Sequence, residues 1–171
     1  MKLKRIGIVG CGAIGSKIAE AVCLDLKGKA KLSALYDIDP AKARDLAGRL
    51  RKKNIIVLSL ARLIRRSDLV VEASSAASAA DITRQALRNR RDCLIMSVGG
   101  LLGAEDIFDL ARVKNCSVYL PSGAIAGIDA LKAHKLANIK KVTLTTRKSP
   151  QALSGAPYVI QRKIDLDRIK E

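Results

Sequence analysis

Three glycines and one aspartate near the start of this sequence have the types and spacing to hold a phosphate and a ribose. Gly10, Gly12 and Gly15 lie in the stretch GIVGCGAIGSKIAE (7–20), and Asp37 follows about twenty residues later, as a dinucleotide fingerprint requires. Gly10 would permit a tight turn out of a strand, Gly12 would let the backbone approach a pyrophosphate, and Gly15 would let a helix pack closely on the sheet. Helix N–H groups beginning near Ala13 would then face the phosphates. The Asp37 carboxylate could accept hydrogen bonds from both ribose hydroxyls while repelling a 2′-phosphate, which favours NAD over NADP. Lys42 and Arg44 could reach a 2′-phosphate, although ordinary solvated helix charges account for both. The competing reading is a glycine-rich turn with Asp37 merely capping a loop. It loses ground because strand, turn, helix and second strand all fall where the fingerprint needs them.

Those residues need a scaffold, and the chain supplies short apolar runs alternating with longer helical patterns. Strands are expected at 4–10, 31–37, 54–58, 68–73, 93–98 and 116–121. Helices are expected at about 13–26, 40–53, 60–66, 75–90, 104–114 and 124–136. Asp39 followed by Pro40 is a helix start, a capping acceptor and then proline at the first helical position. This alternation predicts an α/β fold of the Rossmann type, a doubly wound parallel sheet with helices on both faces. Ligands of such sheets lie at the carboxyl ends of the strands. Those ends are Ala73-Ser74-Ser75, then Ser97 with Gly99 and Gly100, then Pro121-Ser122-Gly123-Ala124. Small residues there would let a nicotinamide and its ribose approach the backbone, and the serines offer hydrogen bonds. A single serine is more often a helix cap, and Ser75 could simply start its helix. Glu72 is either a paired buried carboxylate, the commoner case, or a polar group beside a cofactor.

The pattern changes near Asn138. Residues 139–147, IKKVTLTTR, alternate apolar and polar as a half-exposed antiparallel strand would, and the remainder is proline-containing and charged. The expected organisation is a dinucleotide-binding domain at 1–138 and the beginning of a truncated second domain at 139–171. An amphipathic strand without neighbours is an exposed edge, which invites pairing with a second copy or leaves the tail disordered; self-association into a homodimer is the favoured expectation.

Composition narrows the function classes. The 171 residues are 49% hydrophobic and 28% charged, as in globular proteins. The formal net charge of +16 comes with clusters at Arg49–Lys53, Arg62–Arg66 and Arg88–Arg91, each near a predicted helix end, where cations complement the helix dipole. A basic nucleic-acid-associated protein is the weakest reading, because only Tyr36, Phe108, Tyr119 and Tyr158 could stack on bases. The uncharged apolar stretch 93–104 is short of a membrane span and holds glycines. The basic start imitates a secretory signal, but its apolar run is broken by glycines, so a cytoplasmic location is expected. Cys11, Cys23, Cys93 and Cys116 have no C-x-x-C spacing and one histidine beside them in the whole sequence, so no metal site is expected, only reduced thiols.

Four strings in this order, GIVGCGAIG, VVEASS, LPSGAIAGIDALKA and VTLTTRKSP, resemble the L-aspartate dehydrogenase family over essentially the whole chain. The resemblance implies an NAD(P)-dependent oxidoreductase that converts L-aspartate to iminoaspartate, which feeds NAD biosynthesis or hydrolyses to oxaloacetate. It implies a Rossmann domain followed by an α/β catalytic domain that dimerises through its sheet. It also implies that Gly10, Gly12, Ala13, Ile14 and Gly15 form the phosphate loop and that Ala124 touches the cofactor. Family members continue into a segment with a cofactor-binding asparagine and a catalytic histidine, neither of which has a counterpart in these residues. His134, in LKAHKL, reads as a solvated helix-end imidazole and does not take the catalytic role. No catalytic residue is therefore assigned. Arg147 and Lys148 are weak candidates for binding the substrate carboxylates. A non-catalytic dinucleotide-binding module or sensor is the alternative to a dehydrogenase.

Overall fold

The run KRIGIV becomes β1 (Lys4–Val9) at the centre of a parallel sheet, and its lack of alternation follows from that place. Ile6, Ile8 and Val9 are all buried because a central parallel strand is covered on both faces. The computed structural model describes residues 3–121, 140–145 and 147–168. The chain divides into two units, Met1–Ala124 and Ile125–Glu171.

In the first unit, β1 pairs with β2 (Ala30–Tyr36) on one side and β3 (Leu69–Glu72) on the other. β4 (Asp92–Ile95) and β5 (Val118–Tyr119) extend the sheet, giving the order β2-β1-β3-β4-β5, all parallel. The connections are helices: α1 (Ala13–Leu24), α2 (Pro40–Arg49), α3 (Leu60–Arg66), α4 (Ala76–Arg88) and α5 (Asp106–Lys114). α1 and α2 bury Ala19, Val22, Ala43 and Leu46 with Ile8 and Leu35 in one apolar cluster. α3, α4 and α5 bury Leu63, Ile82, Leu87 and Ile107 with Val70 and Ile95 in another. Helices thus cover both faces, and the expected doubly wound parallel architecture is the one observed. α2 starts as expected, with the Asp39 carboxylate accepting from the Ala41 N–H at 2.9 Å. It stops short of residue 53 because the chain turns through the left-handed region at Arg51, φ 53°.

Two expected strands are corrected. Residues 54–58 do not form a full strand: a 3-10 turn takes Lys53–Ile55, and one parallel bridge joins Ile56 to Leu35. Ile55 and Val57 still bury their side chains, which is why the sequence reads as a strand. Ser59 then accepts from the Arg62 N–H at 3.3 Å and starts α3 before a ladder can grow. Five strands form in place of six. Likewise residues 140–145 and 147 of the expected strand 139–147 have no strand structure, and Val142 and Leu144 are exposed. Alternation alone cannot satisfy the backbone, and no ladder partner stands beside them among the described residues.

The described part of the second unit holds short helices at Pro150–Leu153 and Pro157–Gln161, with Ser149 capping the first at 3.4 Å from the Ala152 nitrogen. No helix among the described residues is long and apolar enough to cross a membrane. The expected helix 124–136, with Ala124 and His134, lies outside the described residues, as do Ser122 and Gly123.

Candidate dinucleotide-binding site

The glycine turn is shaped by close approaches at two of its three glycines. Gly10 has φ +91°, and a Cβ there would run into the carbonyl of Ala73, so only glycine lets β1 turn beside the end of β3. A Cβ on Gly15 would collide with the carbonyl of Gly10, so the third glycine lets α1 sit directly on the turn. Gly12 is different. Open space surrounds its Cα, so nothing among the described residues requires a glycine there. It is also the N-cap of α1 and offers no side-chain acceptor, whereas α2 and α3 are capped by Asp39 and Ser59. With no acidic residue in the first turn of α1, its N–H groups and helix dipole face outward uncompensated. An approachable backbone at the positive end of a helix fits a pyrophosphate.

Asp37 is tied to this turn. Its Oδ2 accepts from the Cys11 N–H at 2.7 Å and its Oδ1 from the Asp39 N–H at 2.9 Å. Each oxygen keeps capacity for a further donor. The carboxylate borders a cleft of about 570 Å³ that also touches Gly10, Gly12, Lys42, Ala73 and Ser75. The cleft opens at the carboxyl ends of β1 and β3, where the strand order turns from one half of the sheet to the other.

The far wall of the cleft is held by a buried carboxylate. Glu72, fully buried at the end of β3, accepts from the Ser74 N–H at 2.7 Å and the Ser74 hydroxyl at 2.8 Å. It also accepts from the Ser97 N–H and hydroxyl, both at 3.0 Å. Among the described residues no cation pairs with it; hydroxyls and amides donate to it instead. Cys11 and Cys93 are buried thiols. Burial, with the Asp37 charge, pushes the Cys11 thiol up to about 12, and burial pushes that of Cys93 to about 12. All four cysteines are free, and no metal-binding group occurs among the described residues.

Of the residues singled out in the sequence, Gly10, Gly12, Asp37, Ala73, Ser74 and Ser75 line the cleft. Ala13 and Ile14 are exposed on the first turn of α1, beside a shallower depression that shares Gly12 and Lys42. Gly99 stands in the 3-10 turn Val98–Leu101 and is not in the cleft lining. Arg147 and Lys148 are exposed in the second unit. Sequence reasoning missed the contribution of α4, whose Ala77, Ser78, Asp81 and Gln85 also line the cleft. Their three- and four-residue spacings were the available signal.

Comparison with known proteins agrees with this geometry. Residues 10–121 match the family described as homoserine dehydrogenase, NAD binding domain, and residues 129–171 match the family described as aspartate dehydrogenase, C-terminal. The L-aspartate dehydrogenase of Methanocella arvoryzae is 44% identical over 98% of this chain and 62% of its own length. That of Methanosarcina acetivorans is 41% identical over 98% of this chain and 62% of its own. The chain thus spans about three-fifths of these relatives' length. Among solved structures, myo-inositol dehydrogenase from Lactobacillus casei in complex with NAD(H) and myo-inositol aligns with TM-score 0.66 at 21% identity. The alignment covers 77% of this chain and 41% of that one. UDP-N-acetylglucosamine 3-dehydrogenase from Acidithiobacillus ferrooxidans aligns with TM-score 0.64 at 19% identity, over 79% of this chain and 42% of that one. These likenesses show the fold. Residues 10–121 are an NAD-binding domain, and the chain belongs to the family described as homoserine dehydrogenase, NAD binding domain, while being similar over 98% of its length to the L-aspartate dehydrogenases named above.

Proposed function

We propose that this chain is the cofactor-holding part of an enzyme that oxidises L-aspartate to iminoaspartate with a nicotinamide dinucleotide. The observation that carries the reading is the Gly12 turn. It is open to solvent, it sits at an uncapped helix start, and it is joined by a 2.7 Å hydrogen bond to a carboxylate placed for a ribose. When bound, the dinucleotide accepts the hydride from the substrate Cα. The chain's own residues bind and orient it. The first turn of α1 faces the pyrophosphate, Asp37 accepts from the ribose hydroxyls, and Ala73, Ser74 and Ser75 line the side on which the nicotinamide half lies. Gly99, and Ser122, Gly123 and Ala124 from outside the described residues, are also assigned to the cofactor in this reading. Arg147 and Lys148 are assigned to the substrate carboxylates.

NAD is preferred over NADP, because a carboxylate at Asp37 opposes a 2′-phosphate, while Lys42 on the same cleft keeps the preference from being absolute. The assignment of L-aspartate rests on the relatives named above, and the product's place is in NAD biosynthesis. Four free cysteines fit a reducing, cytoplasmic setting. Exposed apolar side chains in the second unit, among them Leu144, Tyr158 and Ile160, support self-association into a homodimer.

The test combines an NADH titration with an assay of NADH formation from L-aspartate and NAD by the purified protein. The expected results are binding near the micromolar range (about −8 kcal/mol) and turnover with aspartate. Binding without turnover leaves a dinucleotide-binding module, and absence of binding overturns the proposal.

A further inference from the structure

The hydroxyl groups on the β3 side of the cleft form a chain with one consistent direction. Ser74 Oγ lies 2.8 Å from Glu72 Oε1, Ser78 Oγ lies 3.0 Å from Ser74 Oγ, and Ser75 Oγ lies 2.9 Å from Ser78 Oγ. A hydroxyl has one proton to give, and a carboxylate can only accept. Ser74 therefore donates to Glu72; with the Ser78 proton given to Ser74 at 3.0 Å in preference to the longer contact with the Ser75 carbonyl at 3.2 Å, Ser75 donates to Ser78. No other assignment makes all three hydrogen bonds. The chain ends at Ser75, whose proton goes to Ser78 and whose lone pairs have no donor among the described residues.

Ser75 strengthens the point by what it does not do. It occupies the N-cap of α4, where a serine oxygen ordinarily accepts from a helix N–H, yet its side chain makes no capping hydrogen bond. Its acceptor capacity is uncommitted, and the residue lines the cleft beside Ala73 and Ser74. Ser97 completes the device from the turn that follows β4, since its two hydrogen bonds to Glu72 pin the chain leaving β4 to the end of β3. The carboxylate is fully buried, so its orientation is not shared with solvent.

We propose that Glu72 is a positioning residue that polarises the Ser74–Ser78–Ser75 chain. Ser75 then meets the nicotinamide half of the dinucleotide as a hydrogen-bond acceptor, for a ligand group bearing N–H or O–H. This rests on the dinucleotide reading above and deepens it. The adenosine half belongs to the Asp37 side of the switch point, so the nicotinamide half crosses to the side where Ser75 stands. Glu72 touches neither ligand nor reacting atoms in this arrangement; it acts through the serines.

The experiment titrates the wild-type chain, Glu72→Gln and Ser78→Ala with NADH and with ADP-ribose, which lacks the nicotinamide ring. A glutamine places N–H donors where Ser74 or Ser97 now donates, and Ser78→Ala cuts the chain while leaving Glu72 in place. Both variants should bind NADH more weakly, about tenfold for Glu72→Gln and about threefold for Ser78→Ala, as expected for loss of an oriented hydrogen bond. ADP-ribose affinity should stay within about twofold of wild type in both, as expected where the Asp37 side is untouched. That retained binding also shows that each variant is folded. If Glu72→Gln does not fold, Ser78→Ala decides alone. Equal losses for the two ligands, or no loss for either, overturn the proposal. Failure of the wild-type chain to bind ADP-ribose overturns the dinucleotide reading itself, a distinct result.

Discussion

The backbone N–H of Cys11 donates to the Asp37 carboxylate at 2.7 Å, so the glycine turn after β1 and the end of β2 are one mechanical piece. Asp37 thus has two duties, to hold the turn and to meet a ribose. Replacing it with alanine should remove both. NADH binding should weaken by about tenfold to hundredfold, the range for losing one or two hydrogen bonds to a charged acceptor. The gap between NADH and NADPH should narrow, because the repulsion of a 2′-phosphate goes with the carboxylate. Parallel titrations of the two cofactors check this, and an unchanged ratio would remove Asp37 from cofactor choice.

Gly12 and Gly15 should separate binding from stability. Gly12→Ala puts a methyl group into open space, so urea unfolding should stay within about 0.5 kcal/mol of wild type. The methyl stands where a pyrophosphate would approach, and NADH affinity should fall at least about tenfold. Gly15→Ala drives its methyl into the Gly10 carbonyl and should cost about 1–3 kcal/mol of stability. A Gly12→Ala protein that binds NADH normally would mean that the phosphates lie elsewhere.

The ion pair Arg5–Asp68 should make stability depend on acid. Hydrogen bonds from the Arg5 guanidinium hold the Asp68 carboxyl down to about 2. A carboxyl depressed by folding contributes stability above its unfolded value, near 3.9, and loses it as pH falls towards about 2. Urea midpoints of the wild-type chain should decline across that window, and Asp68→Asn should flatten the part owed to this group. Identical acid profiles for the two proteins would refute the assignment.

Alkylation should find Cys11 silent in the native state. Its side chain is buried, and its thiol is pushed up to about 12, so almost no thiolate exists at neutral pH. Iodoacetamide labelling followed by mass spectrometry should modify the half-buried Cys23 and Cys116 before Cys11 or Cys93. Early labelling of Cys11 would contradict the packed turn.

Where the sequence was legible, one residue's local chemistry decided the outcome. Gly10 needs a positive φ, Pro40 follows a capping Asp39, and both stand where expected. The run at 54–58 misled because burial and strand pairing are separate requirements. Ile55 and Val57 are buried, but a ladder needs a partner over several residues, and Ser59 begins a helix first. The alternation at 139–147 misled in the same way, since a period of two says which side would be apolar and not whether a neighbour exists. Glu72 was ambiguous because two of its donors come from Ser97, just past the end of the neighbouring strand β4, and adjacency of strands is not written in any local window.

The β1–β3 ladder is the single seam between the two halves of the sheet, four residue pairs from Ile6–Leu69 to Val9–Glu72. Arg5 and Asp68 rivet its amino end, with Arg5 Nη2 within 2.6 Å of Asp68 Oδ1. The cleft lies across its opposite end, so a dinucleotide seated there would touch both halves and clasp the seam shut. Ligand at a hundred times its dissociation constant would add about 2.7 kcal/mol to the work of separating the halves. In the presence of cofactor the two halves of the sheet would then part last along this line.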